Sequence, residues 1–348
     1  MTGKCKTGWR GAVLIGAGRM AQAHALALKQ LGVPIAGVCD LRQEARDAIG
    51  DAFAVPATGR FVSSADIMAA NPNTDLVVIA TTADSHAQLV IEAAKAGARN
   101  ILCEKPLAAS VTDCDAMLTA CKASGTKLAV NHQMRFMDQY LKVHEEVDSG
   151  RLGRLASMTV VGGCMGLAMN GSHYIEAFGF LTGARPVSAT GFFTGAAFNN
   201  PRGPEYFDQA GEFRILGDSG QRLTIVIGAD QGHGMTATYA GAFGHMFVDE
   251  LEGEAIVTAR KEEHRGQPPT RYGMPWERRT LRFPQADNVG PTREVLRALA
   301  AGSNYPDGEA GRRVIATLAA CYASAESGGR PVAVDDPALA ADRRFPWA

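Results

Sequence analysis

Several features are missing from this 348-residue sequence, and each absence narrows its function. No segment approaches the ~18 consecutive apolar residues of a membrane span, so a membrane is not expected as a partner. Neither sign of charge dominates: 35 Lys and Arg face 36 Asp and Glu, for a formal net charge of −1. Without a basic face, a nucleic-acid partner is not expected either. The seven cysteines form no CxxC pair, and no Cys/His or acid/His cluster has metal-ligand spacing, so no metal is expected. The odd count fits reduced thiols in a cytoplasmic protein. There is no internal repeat and no low-complexity tract. At the N-terminus Lys4, Lys6 and Arg10 precede an apolar run, but Ala12–Ile15 is too short for the core of a signal peptide and stops at glycines. It reads as a buried strand.

What is present divides into two textures. With 46% hydrophobic and 20% charged residues the chain is globular, and its length favours two domains. Up to about residue 130, short apolar runs alternate with helical patterns. The strands are expected at Ala12–Ile15, Ile35–Cys39, Leu76–Ala80, Asn100–Cys103 and Lys127–Val130, with helices such as Met20–Leu31 and His86–Ala96 between them. That alternation predicts βαβ units and a parallel sheet covered on both faces, an α/β domain over residues 1–131. From about residue 155, period-2 runs appear at Ser157–Val161, Ser188–Thr194, Arg222–Ile227, Thr236–Tyr239, His245–Asp249, Ala255–Ala259 and Arg279–Phe283. They predict a second α/β domain over 132–348 on an open, mostly antiparallel sheet. Helices at His173–Leu181, Arg293–Ala301 and Ala310–Ser327 should cover one face. The strands look too apolar for the other face to be fully wet, which predicts a homodimer or homotetramer through the sheet. The loop Glu262–Trp276 is the alternative cover.

The first strand runs into Gly16-Ala17-Gly18-Arg19-Met20-Ala21, a GxGxxA turn that opens a helix. Gly16 permits the tight turn, Gly18 lets backbone approach a pyrophosphate, and Ala21 permits close helix–strand packing. The helix N-terminus favours the anion. Asp40 ends the second strand, where a carboxylate accepts from ribose hydroxyls and repels a 2′-phosphate. NAD is therefore expected over NADP. Leu41 and Arg42 follow, and Arg42 pulls the other way. A glycine turn in an α/β protein without cofactor is the plainer alternative. Thr81 and Thr82 lie at the next strand end, in the loop position that lines a ligand crevice. Asp84 or Ser85 capping the next helix is the competing explanation there. His86 is a further cofactor candidate, whereas His24 in the first helix reads as packing.

The following strand ends in Glu104-Lys105-Pro106. A GxGxxA turn, an Asp after the second strand and an EKP motif at this distance resemble the Gfo/Idh/MocA oxidoreductases. Asn131-His132-Gln133-Met134-Arg135-Phe136 and Gly171-Ser172-His173-Tyr174-Ile175-Glu176 extend the resemblance, the latter being similar to the family's GxHxxD. The resemblance implies a Rossmann-type doubly wound parallel sheet paired with an α/β domain on an open antiparallel sheet, and an NAD(H)-dependent oxidoreductase transferring a hydride to or from a sugar, sugar derivative or other polyhydroxylated small molecule. The family also holds NAD-dependent glycosidases and non-catalytic regulators, which are the alternatives. Carried over, the catalytic residues are Lys105 and His173, and Glu104 joins Lys105 beside the cofactor. Three departures blur the substrate: Met169 stands where the family often has an acid, Glu176 replaces Asp, and Thr82-Ala83 replaces Pro-Asn.

The residue chemistry fits this assignment. Removing an alcohol proton as its C–H hydride leaves suits a near-neutral His, and a Lys can stabilise the developing alkoxide. Arg135, Asn170, Tyr174 and Glu176 are the substrate-binding candidates. Arg135 can clamp an anion or form an interdomain salt bridge, and Glu176 can orient His173 or bind a substrate hydroxyl.

Overall fold

The computed structural model describes residues 7–163, 166–195, 197–200, 202–268, 273, 275–285, 287–336, 339 and 341–347. Lys4 and Lys6, and residues 269–272 and 274 of the Glu262–Trp276 loop, therefore lie outside the described residues. In chain order the elements are β1 (Ala12–Ile15), α1 (Arg19–Leu31), β2 (Ile35–Cys39), α2 (Gln43–Ala52), β3 (Arg60–Phe61), α3 (Ser64–Ala70), β4 (Leu76–Ile79), α4 (Ala83–Lys95), β5 (Asn100–Cys103), α5 (Val111–Ser124) and β6 (Lys127–Val130). Next come α6 (Asp138–Asp148), β7 (Leu155–Gly163), α7 (Ser172–Thr182), β8 (Pro186–Phe193), β9 (Phe198–Asn200), β10 (Gly203–Asp208), β11 (Gly211–Gly217) and β12 (Arg222–Gly228). The chain finishes with β13 (Thr236–Gly241), β14 (Gly244–Asp249), β15 (Glu254–Arg260), β16 (Trp276–Arg282), α8 (Val289–Ala301), α9 (Gly308–Glu326) and β17 (Val332–Ala333). Among the described residues no helix is long and apolar enough to cross a membrane.

The chain divides into two compact units, but not at a single point after residue 131. Met1–Phe136, Asp287–Ile315 and Ala340–Ala348 form the first, and Met137–Ala286 with Ala316–Leu339 the second. From the sequence alone, everything beyond 131 falls to the second domain. The physical reason for the difference is α8, whose Val295, Leu296 and Leu299 share the core of β1, β2, β4 and α1.

In the first unit, six parallel strands lie in the order β3-β2-β1-β4-β5-β6. β1, β4 and β5 are buried along their whole length, as strands covered on both faces must be. The chain reverses its winding between β1 and β4, the crevice position at which open α/β sheets bind ligands. The shared register aligns Ile15 with Cys39 and Ile79, and Cys103 with Ile79 and Val130. Gly16, Asp40, Ala80, Glu104 and Asn131 therefore stand along one edge of the sheet.

The second unit is a nine-stranded sheet, β16-β15-β14-β13-β7-β12-β11-β8-β17. It is antiparallel except where β12 pairs with β7. The strand β11, not among the strands expected from the sequence, lies between β12 and β8. Alternation sorts its side chains. Met158, Val160, Phe213, Ile215, Leu223, Ile225, Tyr239, Met246 and Val257 are buried. On the opposite face, cross-strand pairing aligns Thr190, Arg214, Thr224, Thr159, Thr238 and Phe247 in one row. The apolar share of these strands thus goes mainly to the inner face. The outer face is threonine-rich, with Phe192, Leu216 and Phe247 exposed at 52%, 40% and 37%.

Candidate functional site

The GxGxxA turn has two glycines under different constraints. Gly16 takes φ +95°, and a Cβ there would lie 2.5 Å from the Ala80 carbonyl oxygen. Its amide donates to the Cys39 carbonyl, continuing the β-ladder past β1. Gly18 has an ordinary extended conformation, and a Cβ on it would meet nothing within 4 Å. It stands at the start of α1, which has neither a capping side chain nor an acid in its first turn. The first amides of α1 therefore point outward with no side-chain acceptor. This open, electropositive helix end fits a pyrophosphate. Arg19 is exposed and Met20 partly exposed at this same end.

Asp40 sits beside that turn. Its Oδ2 accepts the Ala17 amide at 2.7 Å, and its Oδ1 accepts the Arg42 amide at 2.9 Å and Arg42 Nε at 3.3 Å. Burial pushes its carboxyl upward, but these donors and the Arg42 charge outweigh burial and leave it below the usual range. Leu41 is exposed, and Arg46 Nη1 donates to the Asp40 and Leu41 carbonyls. The residues present suit a dinucleotide: donors at α1 for phosphate oxygens and an ionised carboxylate one strand away for ribose hydroxyls.

At the end of β4, the Ser85 hydroxyl lies 2.7 Å from Thr81 Oγ1 and 2.8 Å from the Thr82 carbonyl. Thr82 occupies the N-cap of α4 without a side-chain cap, and Asp84 supplies the acid of the first turn. His86 is fully buried. Its Nδ1 lies 3.0 Å and 3.2 Å from the Pro106 and Leu107 carbonyl oxygens, and its Nε2 lies 3.3 Å from the Thr81 oxygen. Burial holds its pKa below the ordinary histidine value, so the ring is neutral at pH 7 and its single N–H donates on one side only.

Glu104 is turned inward. It is 5% exposed, and its Oε1 lies 2.7 Å from His24 Nε2 and accepts Asn131 Nδ2 at 2.8 Å. Its Oε2 accepts the Lys105 amide at 3.3 Å. Burial opposes its charge, but the His24 and Asn131 donors and the His24 and Lys105 charges pull its carboxyl down to about 2. Asn131 Nδ2 also reaches Thr292 Oγ1 at 3.4 Å. In the sequence His24 reads as packing, and the structure gives it a polar partner instead. The signal for this is a histidine on the inward face of α1, among Ala21, Ala25 and Leu28, where an imidazole needs a polar partner. His132 is 1% exposed, and burial with the charges of Lys105 and Arg135 depresses its pKa to about 3. Arg135 lies in the short 3-10 helix Gln133–Phe136, within the first unit.

The second unit holds the other candidates on one helix. His173 and Glu176 are buried on α7, at 6% and 5% exposure. A π-helical turn, Leu167–Gly171, precedes α7 and carries Asn170. Tyr174 is 1% exposed, and its hydroxyl donates to Glu250 Oε1 at 3.0 Å, as Tyr140 does at 3.1 Å. Burial pushes the Glu250 carboxyl up to about 7 against the pull of these phenols. Tyr174 therefore ties α7 to the sheet, and its hydroxyl is committed to Glu250. Among the described residues no three His, Cys, Asp or Glu side chains gather as a metal site.

Comparison with known proteins agrees with this geometry. Residues 10–132 match the Gfo/Idh/MocA family model, described as oxidoreductase family, NAD-binding Rossmann fold. Over that stretch the chain is similar to this family. An inositol 2-dehydrogenase from Rhizobium meliloti is 32% identical over 148 residues, which is 42% of this chain and 43% of that protein. A D-apiose dehydrogenase from Paraburkholderia graminis is 36% identical over 141 residues, 40% of this chain and 36% of that one. In both, the match spans less than half of the relative's length. Among solved structures, an oxidoreductase from Agrobacterium radiobacter in complex with NAD+, L-tartaric acid and magnesium superposes with a TM-score of 0.78 at 20% identity. It covers 93% of this chain and 98% of that one. Levoglucosan dehydrogenase in complex with NADH and levoglucosan gives 0.77 at 19% identity, over 94% and 99%. At these identities the structures show a shared fold across both units.

Proposed function

We propose that the protein is an NAD(H)-dependent oxidoreductase acting on a CH–OH group of a sugar, sugar derivative or other polyol. The observation that carries this reading is the uncapped, acid-free start of α1 with an ionised Asp40 on the neighbouring strand. The named relatives act on inositol and apiose, and the same substrate chemistry is proposed here. When bound, the nicotinamide would take up or return the hydride. The α1 amides would hold the pyrophosphate and Asp40 the ribose hydroxyls, which favours NAD over NADP. Lys105 and His173 would handle the hydroxyl proton: His173 exchanges it, and Lys105 stabilises the oxygen while it is charged. Asn170, Glu176 and Arg135 are proposed to position the substrate, and the inward-turned Glu104 to steady Lys105 through its backbone amide.

The test is a cofactor titration followed by a polyol panel. NAD(H) should bind more tightly than NADP(H), and Asp40→Ser should relax that preference. Lys105→Met and His173→Ala should each lower turnover by ~10²–10⁴ while leaving NAD affinity near that of the parent chain. Normal turnover by His173→Ala would refute the assignment of the proton to that residue.

We also propose a homodimer or tetramer built through the outer face of the nine-stranded sheet, on the exposure of Phe192, Leu216 and Phe247. Light scattering should then return two or four times the 36.8 kDa chain mass, and a single mass would refute it. A cytoplasmic location is proposed from the five described cysteines, all free and buried, which suit a reducing compartment.

A further inference from the structure

The turn that delivers Asn170 and His173 is not held by its own sequence. Residues 167–171 form a π-helical turn whose start, Gly166, offers no capping side chain. A π turn is rarer and less favourable than an α turn, so its first amides need acceptors from elsewhere. They come from the end of β10. Asp208 is 3% exposed. Its Oδ1 accepts the Ala168 amide at 3.0 Å, and its Oδ2 accepts the Met169 amide at 2.7 Å. The next residue joins in, since the Leu167 amide donates to the Gln209 carbonyl at 3.0 Å. The carboxylate is itself fixed by the Gln209 amide at 2.9 Å and by the Tyr322 hydroxyl of α9 at 3.1 Å. Gly166 leaves room for it: a Cβ there would fall 2.2 Å from Asp208 Oδ2.

The consequence concerns angle. Each residue advances an α-helix by roughly 100°, so changing a π turn to an α turn would rotate the side chains that follow. We infer that Asp208 is a positioning residue: its carboxylate locks the 167–171 turn and thereby sets the direction of Asn170 and His173. Resting on the oxidoreductase reading, this adds an acid 35 residues beyond His173 and outside the motif that resembles the family. It also explains how Met169 can stand where the resemblance expects an acid. The Met169 backbone amide donates to Asp208, and that acid arrives from another strand.

Two substitutions approach the contact from opposite sides. Asp208→Asn keeps the shape but replaces one acceptor oxygen with an NH₂ group. Gly166→Ala pushes a methyl group into the carboxylate. In the full chain, hydrogen exchange of the peptide spanning Ala168 and Met169 should quicken by about 10-fold or more in both, while the β12 peptide keeps its parent rate. The His173 imidazole resonance should move in both. With a polyol that the parent chain oxidises, kcat should fall by about 10²-fold, the cost of a reacting group misplaced by about 1 Å, with the NAD Kd unchanged. Parent exchange rates at Ala168 and Met169 would overturn the inference. So would faster exchange with an unmoved His173 resonance. A parent chain that binds no NAD refutes the oxidoreductase reading instead, and the exchange and resonance measurements still decide the role of Asp208.

Discussion

The starts of α1 and α5 face the same physical problem in the same unit. Each must dispose of backbone amides that have no partner within the helix. α5 solves it internally: the Ser110 hydroxyl accepts the Asp113 amide at 3.0 Å, and Asp113 places a carboxylate in the first turn. α3 does the same with Ser63 and Asp66, while α2 and α4 each carry an acid, Glu44 and Asp84. α1 alone among these five has neither device. Its start lies at the β1 edge beside the reversal in strand order, where a ligand is expected. The difference separates a helix end built for folding from one left open for an external anion. It is a stronger argument for dinucleotide binding than the glycine motif itself, because a glycine turn also serves purely structural ends.

Substitutions at the two glycines can break this comparison. Gly18→Asp places a carboxylate at the open end, where its Cβ meets no atom within 4 Å. The chain should fold with an unchanged or raised Tm, since Asp is a favourable N-cap. Dinucleotide affinity should drop at least ~100-fold, equivalent to about 2.7 kcal/mol, because the site is filled and its charge reversed. Calorimetric titration checks the affinity and thermal unfolding checks the fold. Retained affinity would show that the α1 end is not the anion site. Gly16→Ala should do the reverse. Its φ of +95° and the 2.5 Å approach to the Ala80 carbonyl predict a stability loss of about 2 kcal/mol or more, seen in denaturant unfolding before any ligand is added.

The same contrast explains what could be read from the sequence. The places of Gly16, Gly18 and Asp40 at the ends of β1 and β2 were legible, because a strand-end turn leaves a local pattern. Five of the six parallel strands also followed from alternating strand and helix patterns, whereas β3, only Arg60–Phe61, is too short to leave such a pattern. The His24–Glu104–Asn131 network was not legible, since it joins residues 80 and 27 positions apart that no local pattern connects. Asp208 escaped for the same reason, because its partners Ala168 and Met169 lie 40 and 39 residues earlier. β11 has a period-2 pattern of its own, with Phe213 and Ile215 buried between exposed Glu212, Arg214 and Leu216. Its neighbourhood of glycines and prolines hid it. The return of α8 to the first unit could not be inferred from its apolar stripe, which says that a face is buried but not against which sheet.

The capped helix supplies the last and smallest test. Ser110 is 1% exposed, while Asp113, whose amide it accepts, is partly exposed. Ser110→Ala should cost about 1 kcal/mol, the usual loss for a serine N-cap. The Asp113 carboxylate remains in the first turn and still favours the helix dipole. It also keeps its ion pair with Arg344, so the helix end should loosen without melting. Dinucleotide affinity should not change, because α5 offers no open amides to a ligand. A chemical-denaturation midpoint that moves while the titration curve stays put would place the two helix ends in separate roles. A matching loss of affinity would mean that α5 supports the site after all, and the comparison with α1 would have to be drawn differently.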